Sequence, residues 1–520
     1  MSRRHKSSRT PSLGARASSP AAGEAGAASS LAGGLSYVAA KPPNHAKTCS
    51  VRAVLFVIVC FCVGLAARIE RGNYHPIAIS LIAAAVTAAL IAIGNPAGMA
   101  SRRLPKGALL WTLLGCCGVQ LGYIFSERTI PLGGELDPHA ELLLMVALFG
   151  IAAGAVVCAC AALMKRKVQG FAAVGIAIVL FSHLVAGISA VRMATPPPPM
   201  DVIIFQEFAG QQLLEGGSPY AMTFPDLSFG TSPHYGPGLQ KDGQLLFGFP
   251  YPPLSLLAVM PASIFAGDLR YAHAIAMTLV GVAIALTRPS AVSGLTAAMF
   301  FLTPTGPFVL ACGWTEPLVS LMLAATVFVA VRKPNLTGVW LGLFWAVKQY
   351  VPLTAPLMLL LPGAPAVRPL TKTRTLISGR TAGALRLLLT AIATGAVVTL
   401  PLAIIDFPAF WQSTVALQLQ QPFREDALSL LSLLYRMTGQ IPPSWPAFVA
   451  LAGVQALAIW RMPRTAGGFA GATAATLLVF FALSKQAFAN YYFLVIAAAA
   501  LAAAVDGMAS ETAEKQEAAR

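Results

Sequence analysis

The sequence predicts an all-α polytopic membrane protein. Three observations carry that reading. Hydrophobic residues make up 56% of the 520-residue chain and charged residues only 11%, against about 25% charged in soluble domains. Mean hydropathy is +0.70, and apolar runs long enough for helical spans recur along most of the chain. The basic residues sit in short clusters between those runs, as the positive-inside rule produces. The formal charge of +16 therefore follows from membrane topology, and no nucleic-acid partner is expected.

Residues 1–47 are rich in Ser, Ala, Gly and Pro and carry Arg3, Arg4, Lys6, Arg9 and Arg16. Such a segment cannot bury a core. It is expected to be a disordered, basic cytoplasmic tail that touches anionic lipid. The first apolar run begins only near residue 51, so the tail does not read as a cleaved signal peptide.

Five apolar runs follow, at about 51–67, 75–94, 108–125, 141–163 and 171–191. The loops holding Arg102, Arg103 and Lys106, and then Lys165, Arg166 and Lys167, are placed inside by their charge. The intervening 126–141 loop carries Glu127, Glu135, Asp137 and Glu141 against Arg128 and faces outward. Arg68 and Arg71 run against the rule, because alternation puts 68–74 outside.

A proline brake, Pro196 to Pro199, precedes Asp201, which opens DVIIFQEFAGQQLLEGGSPYA. This polar segment closes on FGFPYPPLSLL at 247–257. Its acids are Asp201, Glu207, Glu215, Asp226 and Asp242, with Lys241 the one Lys or Arg between 201 and 250. Next, 252–267 is apolar but is expected to lie in the interface or re-enter. A full crossing there would put Arg332 and Lys333 outside. Spans then fall at about 270–287, 290–305 and 314–331, with a turn at 305–316.

Lys348 interrupts FWAVKQYVP, so 337–347 is expected to rise and 351–362 to descend, with Lys348 at the turn. The loop holding Arg368, Lys372, Arg374 and Arg380 is too basic to be external. The last spans fall at about 383–404, 446–460, 466–484 and 490–505. This gives about 14 crossings, outer loops at 194–269 and 406–445, interfacial helices in the first of these, and a cytoplasmic tail at 506–520. The expected location is the cell (plasma) membrane, with both termini cytoplasmic.

The eight cysteines lie mostly in apolar runs, without the spacing of a metal or disulfide framework, and read as small buried hydrophobes. His183, inside a span, reads as a helix–helix hydrogen bonder. HxxxH, DxD, a Walker loop and a dinucleotide fingerprint are all absent from the sequence. No metal and no cofactor is expected, and a nucleotide-sugar enzyme is disfavoured.

This topology gathers Asp201, Glu207, Glu316, Lys348, Arg424, Glu425, Asp426, Lys485 and Gln486 at one face. Ionisable groups at the ends of spans are costly unless paired, solvated or used. Asp201 has the chemistry of a general base for a sugar hydroxyl, or of an acid at a helix N-terminus. Glu316 opens a span and suits the helix dipole. Lys348 and Arg424 suit a phosphate or simply snorkel. Tyr491 and Tyr492 read as interface-belt aromatics.

Several of these elements resemble the GT-C superfamily of integral membrane glycosyltransferases, and within it the polyprenyl-phosphate-mannose-dependent mannosyltransferases of the glycosyltransferase 87 class. The elements are an acid opening the first large outer loop, Gly217-Ser218-Pro219-Tyr220, Tyr251-Pro252-Pro253 and WAVKQYVP. The resemblance covers about 171–505 and leaves a four-helix N-terminal extension (48–168) in front of a GT-C-like domain (169–505). It implies that Asp201 is the catalytic acid position. It implies a hexose, mannose above all, on a polyprenyl-phosphate donor, and a lipid or cell-envelope glycan as acceptor on the outer face. The chemistry it implies is inverting. Lys348 and Arg424 would hold the lipid phosphate, and Glu316 would bind sugar hydroxyls or orient the acceptor. Glu207, Tyr220, Tyr251, Gln349 and Lys485 complete the expected substrate-binding set. The alternative function is a transporter or flippase of a lipid-linked or small polar substrate; the lack of an internal repeat counts against it.

Overall fold

The computed structural model describes residues 48–94, 103–126, 137–164, 169–227, 235–236, 238–362 and 379–506. Both tails, Glu127 to Glu135, and the clusters holding Arg102, Lys165 to Lys167 and Arg368 to Arg374 lie outside the described residues. The described residues are 77% helical, with nineteen α-helices among them.

Five long helices come first: α1 (Val51–Ala66), α2 (Pro76–Gly94), α3 (Lys106–Ser126), α4 (Pro138–Leu163) and α5 (Gln169–Met193). Their limits fall within about three residues of the apolar runs, as expected when hydropathy sets the span. Local caps sharpen the ends: the Ser50 hydroxyl accepts from the Arg52 amide at 3.2 Å, and Asp137 accepts from the His139 amide at 2.9 Å.

After the prolines comes α6 (Asp201–Leu214), then α7 (Pro253–Ala266) and α8 (Arg270–Leu286). The α7–α8 pair bends by 118° at Gly267, which sits in the left-handed region at φ +72°. So 253–266 does not run on into the next helix. The helices α9 (Ala291–Phe301) and α10 (Thr305–Ala311) bend by 55°. The expected plain turn at 305–316 is corrected here: Pro304 starts another short helix before Gly313 ends it.

Beyond these lie α11 (Glu316–Arg332) and α12 (Thr337–Val347), then a 3-10 segment, Val351–Leu360. Lys348 lies in extended backbone between the last two (φ −153°, ψ 143°), the broken pair the sequence predicts. The helix α13 (Gly379–Ala403) packs closely on α12, where a Cβ at Gly342 would meet the Ala391 carbonyl. The expected 406–445 loop is itself partly helical: α14 (Phe407–Trp411), a π turn at Gln412–Ala416, α15 (Leu417–Gln420) and α16 (Leu430–Thr438). Three helices close the chain: α17 (Trp445–Arg461), α18 (Ala466–Ala482) and α19 (Ala489–Asp506).

Among the described residues six helices are long and apolar enough to cross a membrane, or up to eight if each bent pair counts as one span. The chain therefore has the character of a membrane protein. The centre of the bundle is α19, packed on α1, α11 and α18. Both α18 and α19 are apolar around their whole circumference and buried almost throughout, the pattern of a helix enclosed by others. Alanines at 497–500 allow close helix approach. The buried cysteines Cys60, Cys62, Cys116, Cys117, Cys158 and Cys312 are free thiols. His183 bonds Thr278 at 2.9 Å, joining α5 to α8.

Among the described residues five short strands depart from the all-helical expectation. β1 (Thr48–Ser50) pairs antiparallel with β2 (Arg103–Pro105). β3 (Phe224–Pro225) and β4 (Gln240–Lys241) flank β5 (Gln244–Leu245) in a small antiparallel sheet.

Candidate active site

The site is built where α5 gives way to α6. The last turn of α5 is fixed by Arg270, which is fully buried. Its guanidinium donates to Asp268 at 2.6 Å and to the Ala194 carbonyl at 2.8 Å. Asp201 then stands at the first turn of α6. One carboxylate oxygen accepts from the Val202 amide at 2.7 Å. The other accepts from the Tyr235 hydroxyl at 2.7 Å. Buried Gln206 donates to the Val202 and Gly313 carbonyls, both at 2.9 Å, and so pins α6 to the turn before α11. Behind it, Phe205 packs on Phe224 and Phe247.

A second anchor is the break after α12. Lys348 is 2% exposed. Its Nζ donates to Thr315 Oγ1 at 2.8 Å and to Glu316 Oε1 at 2.5 Å. It also lies 4.8 Å from the centre of the Tyr251 ring, within cation–π range. Glu316 is fully buried, so an unpaired charge there would be very costly. Its Oε2 has no partner among the described residues.

Asp201, Tyr235, Tyr251, Lys348, Gln349 and Arg424 line one cavity of about 730 Å³. Arg424 is held by Asp426 at 2.7 and 2.5 Å and lies 4.8 Å from the Phe488 ring centre. The cavity thus holds acids and cations on opposite chemical errands: a carboxylate with spare lone pairs, and cations within an aromatic surround. Burial, and then the Asp201 charge, push the Tyr235 phenol well above its usual range. It therefore stays a hydrogen-bond donor to Asp201. Tyr251 is raised by burial first, then by Asp201 and Glu316.

Of the expected site residues, Asp201, Tyr251, Lys348, Gln349 and Arg424 are brought together in this cavity. Glu316 stands behind Lys348 as its ion-pair partner rather than on the wall. Glu207, Tyr220 and Lys485 lie away from it. Glu207 is exposed on α6; partial burial, then Asp268, raise its pKa. The Tyr220 hydroxyl donates to the Tyr251 carbonyl at 3.0 Å, bracing the wall from outside, and its ring lines a separate hollow of about 450 Å³. The Lys485 amine donates to the Leu419 and Gln421 carbonyls at 3.0 and 2.6 Å, so it staples the 417–424 segment.

The reading of Tyr491 and Tyr492 as interface-belt aromatics is corrected. Tyr491 lines the cavity, with the Lys348 Nζ 5.9 Å from its ring centre. Tyr492 is fully buried and donates to the Leu428 carbonyl at 2.6 Å. Because α19 starts only at Ala489, Asn490 and Tyr491 of its first turn line the cavity. Gln486, which the sequence topology places at this face, also lines the cavity; sequence reasoning did not single out Tyr235, Asn73 or Asn490, which line it too. The signal for Tyr235 was faint, an aromatic in a Pro/Gly-rich loop. Asn490 approaches Glu316 Oε1 at 3.5 Å.

Among the described residues no group of three or more His, Cys, Asp and Glu side chains is placed to hold a metal ion. Compared with protein-family models, curated proteins and solved structures, the chain gives no significant match.

Proposed function

We propose that the protein is a membrane-bound glycosyltransferase of GT-C type that moves a hexose, mannose in the first instance, from a polyprenyl-phosphate donor to a lipid or cell-envelope glycan. Asp201 takes the proton of the acceptor hydroxyl as that oxygen attacks the anomeric carbon. The bond to the phosphate oxygen breaks, and polyprenyl phosphate leaves with inversion at the sugar. Lys348 and Arg424 meet the charge that grows on the leaving phosphate. The proposal includes the finer architecture of about 14 crossings, with the 194–269 and 406–445 segments on the outer face of the cell membrane and both termini cytoplasmic.

The observation that carries this reading is the shared wall: Asp201 and the cations Lys348 and Arg424 line the same cavity. Tyr235 and the Val202 amide fix the carboxylate of Asp201 from two sides, leaving lone pairs for a substrate hydroxyl. An activated donor already anchored in lipid fits a cavity at the ends of apolar helices.

The test is turnover by purified protein supplied with polyprenyl-phosphate mannose and candidate acceptors, wild type beside Asp201→Asn. The wild type is expected to turn over and the variant to lose about 10²-fold or more. Equal activity would remove Asp201 from the mechanism. Substrate flux in liposomes without turnover of any lipid-linked sugar would favour a transporter.

A further inference from the structure

We infer that Arg71, on the turn between α1 and α2, is a phosphate-binding residue of the cavity, so that the N-terminal hairpin supplies part of the donor site. This rests on the transferase reading for the identity of the ligand, the phosphate of a polyprenyl lipid, a diester while it carries the sugar and a monoester once the sugar has left. The placement of the residue rests on geometry alone.

Arg71 and Asn73 both line the cavity that holds Asp201, Lys348 and Arg424. The turn that carries them is unusual. Glu70, Arg71 and Gly72 lie consecutively at positive φ, +49°, +56° and +81°. Glycine accepts that conformation freely, whereas Glu and Arg do not. Non-glycine residues in this region are strained, and they persist where the surroundings over-determine them.

The surroundings do so here. Gly72 lies so close to the start of α19 that an added Cβ would come within 2.7 Å of the Ala489 backbone nitrogen. Asn73 bridges to Ala427, the Tyr74 amide donates to the Asp426 carbonyl at 2.8 Å, and Arg436 stacks on Tyr74 at 4.4 Å. The turn is clamped on several sides.

What the clamp presents is a guanidinium. Arg424 is already committed to Asp426 and Lys348 to Glu316. Arg71 is exposed, and no described residue forms an ion pair or side-chain hydrogen bond with it. It is thus the cavity cation with its donors uncommitted, and a guanidinium matches phosphate geometry. The breach of the loop-charge rule at 68–74 is thereby explained as a ligand requirement.

The test uses the full chain in lipid nanodiscs and reads equilibrium binding of farnesyl phosphate, with farnesol and inorganic phosphate as separate arms. Arg71→Gln is expected to weaken farnesyl phosphate binding about tenfold or more, the loss typical of one charge-assisted contact, while farnesol binding is unchanged. Arg71→Lys should recover part of the loss. Lys241→Gln, which removes an exposed cation outside the cavity, should leave binding as in the wild type. Equal binding by wild type and Arg71→Gln, or no saturable binding by the wild type, overturns the assignment. Displacement by inorganic phosphate at comparable concentration overturns the lipid as the source of the anion. Because the readout is binding, weakened binding with no sugar transfer by the wild type would uphold the Arg71 site and sink the transferase reading instead.

Discussion

Tyr235 and Asp201 are joined by an O–H···O hydrogen bond of 2.7 Å, although the acid opens a helix and the tyrosine stands in a Pro/Gly-rich loop. The bond fixes the carboxylate and fills one of its lone pairs. Tyr235→Phe is expected to lower kcat about tenfold with KM little changed, since orientation and not substrate contact is lost. Steady-state kinetics on polyprenyl-phosphate mannose checks this. An unchanged kcat would show that Tyr235 does not position the acid.

Lys348 and Glu316 form the buried ion pair beside the cavity. Removing one partner leaves a charge in an apolar surround, at a cost of about 3–5 kcal/mol. Glu316→Gln and Lys348→Met should each lower the thermal unfolding midpoint in detergent. The double variant, which leaves no buried charge, should recover much of the loss. A double variant less stable than either single one would contradict the pairing as the reason the two residues tolerate burial.

Gly72 and Gly216 separate two causes of strain. Both sit at positive φ, +81° and +82°, but only Gly72 would thrust a Cβ into a neighbour, the Ala489 backbone. Gly72→Ala is expected to destabilise by about 2 kcal/mol or more, and Gly216→Ala by about 1 kcal/mol. Equal unfolding midpoints for the two variants would show that the hairpin turn is not clamped on α19.

Alkaline titration reads the phenols around the cavity. Tyr220, Tyr235 and Tyr251 are all pushed above the usual tyrosine range, burial being the first cause for each. The unfolded chain ionises its tyrosines near pH 10, and the folded one only higher. Above that pH the unfolded state binds fewer protons, so stability falls as pH rises. The stabilising contribution is fully present below about pH 10 and declines above it. Ultraviolet titration should show phenolate absorbance appearing together with loss of helix. Phenolate appearing earlier, with helix intact, would mean that these rings are open to water.

Glu207 and Lys485 stand away from the cavity. Glu207→Gln is expected to leave kcat/KM within about threefold, as for substitutions away from a site. Lys485→Met should lower the unfolding midpoint, because two carbonyls lose their donor, while affinity for lipid phosphate stays near that of the wild type. A large loss of donor affinity in Glu207→Gln would restore it to the binding set.

Hydropathy made the helices legible because span length and apolar composition are local properties; α1, α2, α17 and α19 begin and end within about three residues of their apolar runs. The Lys348 break was legible because a cation in mid-run has few alternatives to a turn. Pair geometry was not. Glu316 and Lys348 meet only because α11 and α12 pack as neighbours, so each read as a free ligand. Arg424 was read without its partner Asp426, two residues away, because an irregular loop offers no period from which to judge side-chain direction. Arg71 read as an exception to a charge rule, and its meaning depends on contacts with residues several hundred positions later.

That long reach has a biosynthetic consequence. The turn at Gly72 rests against Ala489, and Asn73 bridges to Ala427, so one of the first hairpins made is finished by one of the last helices to emerge. During synthesis the strained turn has nothing to hold it, and the cavity lacks Asn490 and Tyr491 until α19 is inserted. A ribosome-stalled intermediate would have its membrane anchor early and its binding competence only at the end.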